Sequence, residues 1–253
     1  MISIIVLGTG NVGKHLINAF LKNSAIKLVQ VYSRKKSSLK PFEDKVATTN
    51  IINNLKEADI YIISISDDEI TGFSSQLNLK DKLIVHTSGS VSIDALKTNG
   101  NKGVFYPLQT FSKNTNVDFS TIPICVEAEK NKDLILLEKL ASCISDNVFI
   151  IDSKQRKQLH IAAVFTNNFV NHLYKIGLDI CKENAIPFET LYPLIVETAK
   201  KATINNPKNI QTGPAHRNDT KTIMTHLELL SGEKKKIYQQ LTESIQKTYG
   251  EKL

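Results

Sequence analysis

Cysteine is scarce in this chain, with three in 253 residues: Cys125, Cys143 and Cys181. They are widely spaced, with no CxxC and no Cys/His pairing of zinc type. This argues against a disulfide framework and against a bound metal, and for reduced thiols. Long apolar runs are also lacking. None approaches the roughly 18 residues needed to span a bilayer, so no membrane association is expected. The N-terminus runs straight into a strand without a basic n-region or a small-residue cleavage site, and the expected location is the cytoplasm. The net charge is +7, yet the basic residues are scattered. The densest clusters, Arg34-Lys35-Lys36 and Lys234-Lys235-Lys236, are short. That argues against a nucleic-acid partner and leaves a smaller anionic ligand as the better account of the first cluster.

What remains is an ordinary globular composition, 41% hydrophobic and 23% charged, long enough for one large domain or two modest ones. The organising stretch is near the N-terminus. Ile4, Ile5, Val6 and Leu7 read as a strand buried on both faces. They lead into Gly8-Thr9-Gly10-Asn11-Val12-Gly13, and then into Val12, Leu16, Ala19 and Phe20 at helical spacing. In a strand–turn–helix of this kind Gly8 allows the tight turn, Gly10 lets the backbone approach a pyrophosphate, and Gly13 lets helix and strand pack closely. The alternative is a tight turn with no ligand. Residues 27–32 read as the second strand. An Asp or Glu after it would accept from a ribose 2′-hydroxyl, as in NAD enzymes. Here Ser33, Arg34, Lys35 and Lys36 follow instead, which suits a 2′-phosphate and hence NADP; the alternative is a solvated basic loop.

Further strands are expected at residues 46–48, 60–65, 83–86, 103–106, 122–126 and 148–151, with helices around 51–55 and 134–144 and one beginning after Ser66. Strands alternating with helices specify an α/β fold, a doubly wound parallel sheet of Rossmann type with extra edge strands. From about Gln155 onward only helical periods appear. One long helix is expected over 160–183. A second is striped by Leu191, Leu194 and Ile195, with Pro193 either in its first turn or kinking it. A third is capped by Asp219, and a fourth is marked by Ile237, Leu241 and Ile245. The expected organisation is a nucleotide-binding domain over 1–152 and an all-helical domain over 153–253.

Three clusters stand out as chemistry. His86-Thr87-Ser88-Gly89, at a strand end, joins Ser66 as a set of donors for the nicotinamide end of a cofactor, although Ser90 or Ser92 could simply cap a helix. His160, Asn167, Asn168 and Asn171 share a face of the long helix at i, i+7, i+8 and i+11. The amides could fix a carboxylate or carboxamide and the imidazole could supply a proton; the alternative is a polar stripe pairing within a helical dimer. Arg217, beside Asp219 on a Gly-Pro loop, could clamp a carboxylate or form a structural pair.

Together, Gly8 to Gly13, His86-Thr87-Ser88-Gly89, Tyr106-Pro107-Leu108-Gln109-Thr110-Phe111, His160-x-x-Ala163…Asn167-Asn168 and Gly213-Pro214…Arg217-x-Asp219-x-x-Thr222-x-x-x-His226 give the chain a family likeness. It resembles Rossmann-like proteins with a helical C-terminal domain of unassigned function, similar in layout to pyrroline-5-carboxylate reductase, β-hydroxyacid dehydrogenases and ketopantoate reductases. The resemblance implies NADP-dependent reduction of a small C=O or C=N, an active site between two domains, and dimerisation through the helices. The catalytic lysine of the last two families has no counterpart on the long helix, where His160 and Asn167 stand. The expected protein is therefore an NADP-dependent oxidoreductase acting on a small, carboxylate-bearing 2-keto acid or cyclic imine. His160, Asn167, Asn168 and Arg217 would serve the chemistry, and the chain would form a homodimer. The alternative is a non-catalytic NADP-binding sensor or scaffold.

Overall fold

A computed structural model describes residues 1–112 and 117–249. Two compact units divide the chain, Met1–Val164 and Phe165–Leu253. In the first, β1 (Ile2–Leu7), α1 (Asn11–Leu21), β2 (Ile26–Tyr32), β3 (Ala47–Thr49), β4 (Ile60–Ile63), α2 (Ile70–Ser74), β5 (Leu83–His86) and β6 (Asn101–Pro107) are followed by β7 (Ile124–Ala128), α3 (Asn131–Ser142), β8 (Val148–Ile150) and α4 (Ser153–Ala163). The eight strands form one sheet in the order β3-β2-β1-β4-β5-β6-β7-β8. All neighbours pair in parallel except β6 and β7, which are antiparallel. The β-branched runs of the central strands are buried on both faces, as a parallel sheet requires. Ile4, Val6 and Val85 pack under Leu16, Ile17 and Phe20 of α1. On the opposite face Ile5, Leu7, Tyr61 and Ile63 pack against Ile70 and Phe73 of α2. The strand order reverses between β1 and β4, where ligands bind in sheets of this kind.

Several expected helices are shorter than their periodicity suggests. Residues 51–55 hold one 3-10 turn, Ile52–Asn54, and the segment after Ser92 another, Ile93–Ala95, with Ser92 accepting from the Asp94 amide as its cap. Both segments are too brief to return the cost of nucleating an α-helix. The helix begins at Ser153 rather than His160, because Asp152 and Gln155 form a capping box there. Residues 160–183 are helical throughout, as expected, but not α-helical throughout. A π-helical segment, Val164–Phe169, separates α4 from α5 (Val170–Glu183). The change from mixed elements to helices alone falls at Asp152. The compact units divide later, since Arg156 is fully buried and Leu159 packs on Val104, Tyr106 and Cys125 of the sheet unit.

The second unit continues with α6 (Tyr192–Ile204), α7 (Pro207–Ile210), α8 (Thr220–Leu229) and α9 (Gly232–Tyr249). Pro193 sits in the first turn of α6, where no N–H is missed, and Asp219 caps α8 by accepting from the Thr222 amide. Among the described residues no helix is long and apolar enough to cross a membrane.

Candidate active site

The glycine loop shows why each glycine is there. Gly8 has a φ of 122°, and a Cβ on it would lie 2.1 Å from the Ser64 carbonyl oxygen. A Cβ on Gly13 would lie 2.4 Å from the Gly8 oxygen. Packing within the protein therefore accounts for both. Gly10 differs: the nearest atom to a Cβ there is 3.9 Å away, and its φ of −64° suits any residue. No contact among the described residues asks for glycine at that position. Gly10 is also the N-cap of α1 and brings no side chain to the first-turn N–H groups, and no acid follows in that turn. Those donors and the positive end of the helix dipole are left to an anion.

The loop forms one wall of a cavity of about 790 Å³. At one end stand Ser33, Arg34, Lys35 and Ser38. The hydroxyls of Thr9, Ser33 and Ser38 cluster, Thr9 to Ser38 at 2.8 Å, Ser33 to Ser38 at 2.8 Å and Thr9 to Ser33 at 3.2 Å. Arg34, 70% exposed, pairs with Glu69. Three hydroxyls, a guanidinium and an ammonium gathered at the end of β2 fit the 2′-phosphate of NADP, and the open face of Gly10 fits its pyrophosphate. The residues present therefore suit the cofactor.

The other end of the cavity is made by the turn after β5, where Thr87 and Ser88 line the wall. His86 lies beneath them, fully buried. Its Nδ1 accepts from the Ser88 amide at 3.2 Å and its Nε2 faces the Ser92 carbonyl at 3.3 Å, an arrangement that puts the ring proton on Nε2. Burial first, and the charge of Arg156 second, push His86 down to about 4, so the ring is neutral near pH 7. Ser90 donates to Asp67 at 2.5 Å, joining this turn to the one after β4. Tyr106, at the end of β6, places its hydroxyl 3.2 Å from Nδ1 of His160 on α4. Burial pushes this phenol up to about 12. Arg156, one turn earlier on α4, pairs with Glu127 of β7 and donates to the Val91 carbonyl at 2.6 Å.

The comparisons agree with this geometry. Residues 3–89 match the family described as NADP oxidoreductase, coenzyme F420-dependent, and residues 122–245 match the domain of unknown function DUF2520. The structure of BF3122, a candidate NADP oxidoreductase from Bacteroides fragilis, is 36% identical, covers 97% of this chain and 98% of its own, and superposes with a TM-score of 0.87. The chain belongs to this family of NADP oxidoreductases, a Rossmann domain joined to a DUF2520 domain. Two further structures share the fold. TM1727 from Thermotoga maritima is 22% identical over 97% of this chain and 98% of its own, with a TM-score of 0.73. The 1-pyrroline-5-carboxylate reductase of Streptococcus pyogenes is 16% identical over 98% and 96%, with a TM-score of 0.65. No curated protein matches.

Within this NADP oxidoreductase, the sequence-predicted residues divide into four groups. Gly8, Thr9, Gly10, Asn11, Val12, Ser33, Arg34, Lys35, Ser66, Thr87 and Ser88 line the cavity together. Gly13, His86 and Gly89 stand behind the lining and shape it: Gly13 by close packing, His86 through the Ser88 amide, Gly89 against Tyr106. His160 belongs to the first unit and meets Tyr106. Asn167, Asn168 and Arg217 belong to the second. The two asparagines lie in the π-helical segment Val164–Phe169. Arg217 is exposed on a loop, its amide donating to the Gly213 carbonyl at 3.3 Å. The nearby Asp219 is held below the usual carboxylate range mainly by hydrogen bonds from Thr222, with Arg217 adding charge.

Sequence reasoning gave no site role to Ser38, Asp67, Glu69 and Tyr106, although Tyr106 opens one of the motifs that carry the family likeness. Tyr106 could have been found, because a hydroxyl ending a buried strand at the ligand edge of the sheet is out of place for packing alone. Glu69 could not, since its partner Arg34 lies 35 positions away.

Proposed function

We propose that this chain binds NADPH in the glycine-loop cavity and reduces a C=O or C=N bond of a small, carboxylate-bearing molecule, a 2-keto acid or a cyclic imine, in the cytoplasm. The observation that carries the reading is Gly10, a glycine with open space where a Cβ would stand, beside three clustered hydroxyls and Arg34. Bound NADPH supplies the hydride. The chain's own part is to hold the phosphates on the α1 N-terminus and the Arg34 end, to fix the nicotinamide end with Ser66, Thr87 and Ser88, and to give a proton to the substrate oxygen or nitrogen. His160 is the acid; His86, buried and neutral, is not available for that work. Asn167 and Asn168 orient the substrate and Arg217 holds its carboxylate. The name of the pyrroline-5-carboxylate reductase relative, a cyclic imine acid, supports that substrate class.

The second unit leaves large apolar side chains in the open, Leu229 at 81%, Ile204 at 71% and Val196 at 65% exposed. Large apolar side chains left in water are costly, and we assign these to an interface with a second copy of the chain; light scattering on purified protein reads a mass of two chains if so. The deciding experiment for the function is a calorimetric titration with NADPH and, in parallel, NADH. NADPH binding at least about tenfold tighter, a gap of roughly 1.4 kcal/mol, supports the reading and opens a screen of 2-keto acids and cyclic imines. If neither nucleotide binds, the glycine loop is only a turn.

A further inference from the structure

Two side chains and a glycine, from three separate segments of the chain, meet one residue beyond the cavity wall. Tyr106 ends β6, His160 lies on α4, and Gly89 follows the cavity-lining Ser88. The phenol hydroxyl and Nδ1 of the imidazole are 3.2 Å apart. The two rings meet edge-on, at 6.3 Å between centroids and 73° between planes. A Cβ on Gly89 would come within 2.7 Å of Tyr106 Cζ and 2.8 Å of both the Tyr106 hydroxyl and His160 Nδ1. Gly89 does not have the left-handed φ that would call for glycine on backbone grounds. The space it leaves is taken up by the ends of these two side chains, so the position is fitted to the pair.

Tyr106 is 9% exposed, and a buried phenol needs a hydrogen-bond partner. A hydroxyl suits an imidazole in both of its protonation states, since it can donate to a bare Nδ1 or accept from Nδ1–H. We propose that Tyr106 is a positioning residue that holds the His160 ring for proton transfer through Nε2. This rests on the reading of His160 as the acid. In the neutral ring the Tyr106 O–H donates to Nδ1, because a phenol is a better donor than acceptor, and the ring proton sits on Nε2. In the imidazolium the bond reverses, Nδ1–H donating to the Tyr106 oxygen while Nε2–H stays free for substrate. During reduction, hydride forms the new C–H bond at the substrate carbon, and the π pair of the C=O or C=N bond moves to the heteroatom. That atom takes the Nε2 proton of the imidazolium; the N–H bonding pair stays on the ring, which is left neutral with its proton on Nδ1, and hydronium from solvent restores the imidazolium at Nε2 and leaves as water. Tyr106 gives up no proton, in keeping with a phenol whose burial opposes the phenolate.

The test reads the ring directly. Long-range proton–nitrogen NMR of the full chain, labelled with ¹⁵N, reports which ring nitrogen carries the proton, with His160 assigned by loss of its signals in His160→Gln. At a pH where the ring is neutral, the wild type should show the proton on Nε2 and a hydrogen-bonded acceptor signal at Nδ1. In Tyr106→Phe the Nδ1 signal should lose the hydrogen-bonded shift, and the tautomer ratio should relax toward that of free histidine. A wild-type ring protonated on Nδ1, or a Tyr106→Phe spectrum unchanged at both nitrogens, overturns the proposal. If Tyr106→Phe does not fold, the wild-type spectrum decides by itself. Neither cofactor nor substrate is needed, so a failure of the NADPH reading, seen as absence of binding to wild-type protein, remains distinct from a failure here.

Discussion

Arg34 and Glu69 form an ion pair at the wall of the nucleotide cavity, with side chains 70% and 37% exposed. The guanidinium that we propose meets a 2′-phosphate is thus held by a carboxylate before any nucleotide arrives. Exposed pairs of this kind are worth at most about 1 kcal/mol, which sets the scale of the competition at up to about fivefold. Glu69→Gln should therefore tighten NADPH by up to that factor, less at high salt, and leave NADH unchanged. Arg34→Ala should weaken NADPH by about tenfold or more, since hydrogen bonds to charged groups contribute about 1.5–3 kcal/mol. Parallel calorimetric titrations decide. If Glu69→Gln weakens NADPH instead, Glu69 orients the guanidinium rather than competing for it.

Gly8 and Gly10 should separate folding from binding. Gly8→Ala puts a side chain on a residue at φ 122°, with its Cβ 2.1 Å from a carbonyl oxygen. A loss of more than about 3 kcal/mol of stability is expected from such strain. Gly10→Ala should cost less than about 1 kcal/mol, the scale of a changed N-cap. It should nevertheless weaken nucleotide binding by at least about tenfold, because the methyl occupies the approach to the pyrophosphate. Urea unfolding and NADPH titration of the two variants read both effects. Unimpaired NADPH binding by Gly10→Ala would remove the main support for the cofactor site.

Much of this was legible in the sequence because it is written locally. The β-branched runs, the glycine spacing and the basic residues after β2 all lie within a few positions of one another, and their periods differ between strand and helix. Features that depend on distant partners were not legible. Arg156 sits in Ser-Lys-Gln-Arg-Lys-Gln, which reads as a solvated helix face. It is fully buried because Glu127, 29 positions earlier, receives it. The π-helical segment leaves no mark in the apolar spacing either. The asparagines at 167 and 168 follow the helical period from His160, yet the hydrogen-bond pattern changes just there. The antiparallel direction of β7 is likewise invisible, since a short buried strand carries the same residues whichever way it runs.

The Arg156–Glu127 pair lends itself to a double-mutant cycle. Arg156 is wholly buried and the Glu127 side chain is 15% exposed. Ser153 completes the cluster, its hydroxyl donating to Glu127 at 2.8 Å and accepting from the Ile93 amide at 2.9 Å. Removing one partner leaves a buried charge and should cost about 3–5 kcal/mol, whereas replacing both with apolar residues of similar size is often close to neutral. Glu127→Leu alone should therefore destabilise strongly in urea, and Glu127→Leu with Arg156→Met should recover most of the loss. A double variant no more stable than the single one would show that the pair contributes through the loop at Val91 rather than through charge.

The same guanidinium bears on acid stability through His86. Burial and the Arg156 charge hold this imidazole down to about 4 in the folded chain, against about 6.5 when unfolded. Between those values the unfolded chain binds a proton that the folded chain does not. The stability contributed by the neutral ring is thus complete above about pH 6.5 and is lost as pH falls toward 4, at about 1.4 kcal/mol per unit. Carboxylates such as Asp59, held below the usual range chiefly by the Ser3 hydroxyl, act only at lower pH. Urea unfolding at pH 7.0 and 4.5 should therefore differ by about 2–3 kcal/mol in the wild type. His86→Gln should be less stable at pH 7.0, having lost the bonds to Ser88 and Ser92, but its stability should change much less over this interval. In the Arg156→Met, Glu127→Leu background His86 should titrate at higher pH, and the stability difference between pH 7.0 and 4.5 should shrink. An unchanged slope in His86→Gln would assign the acid sensitivity to other groups.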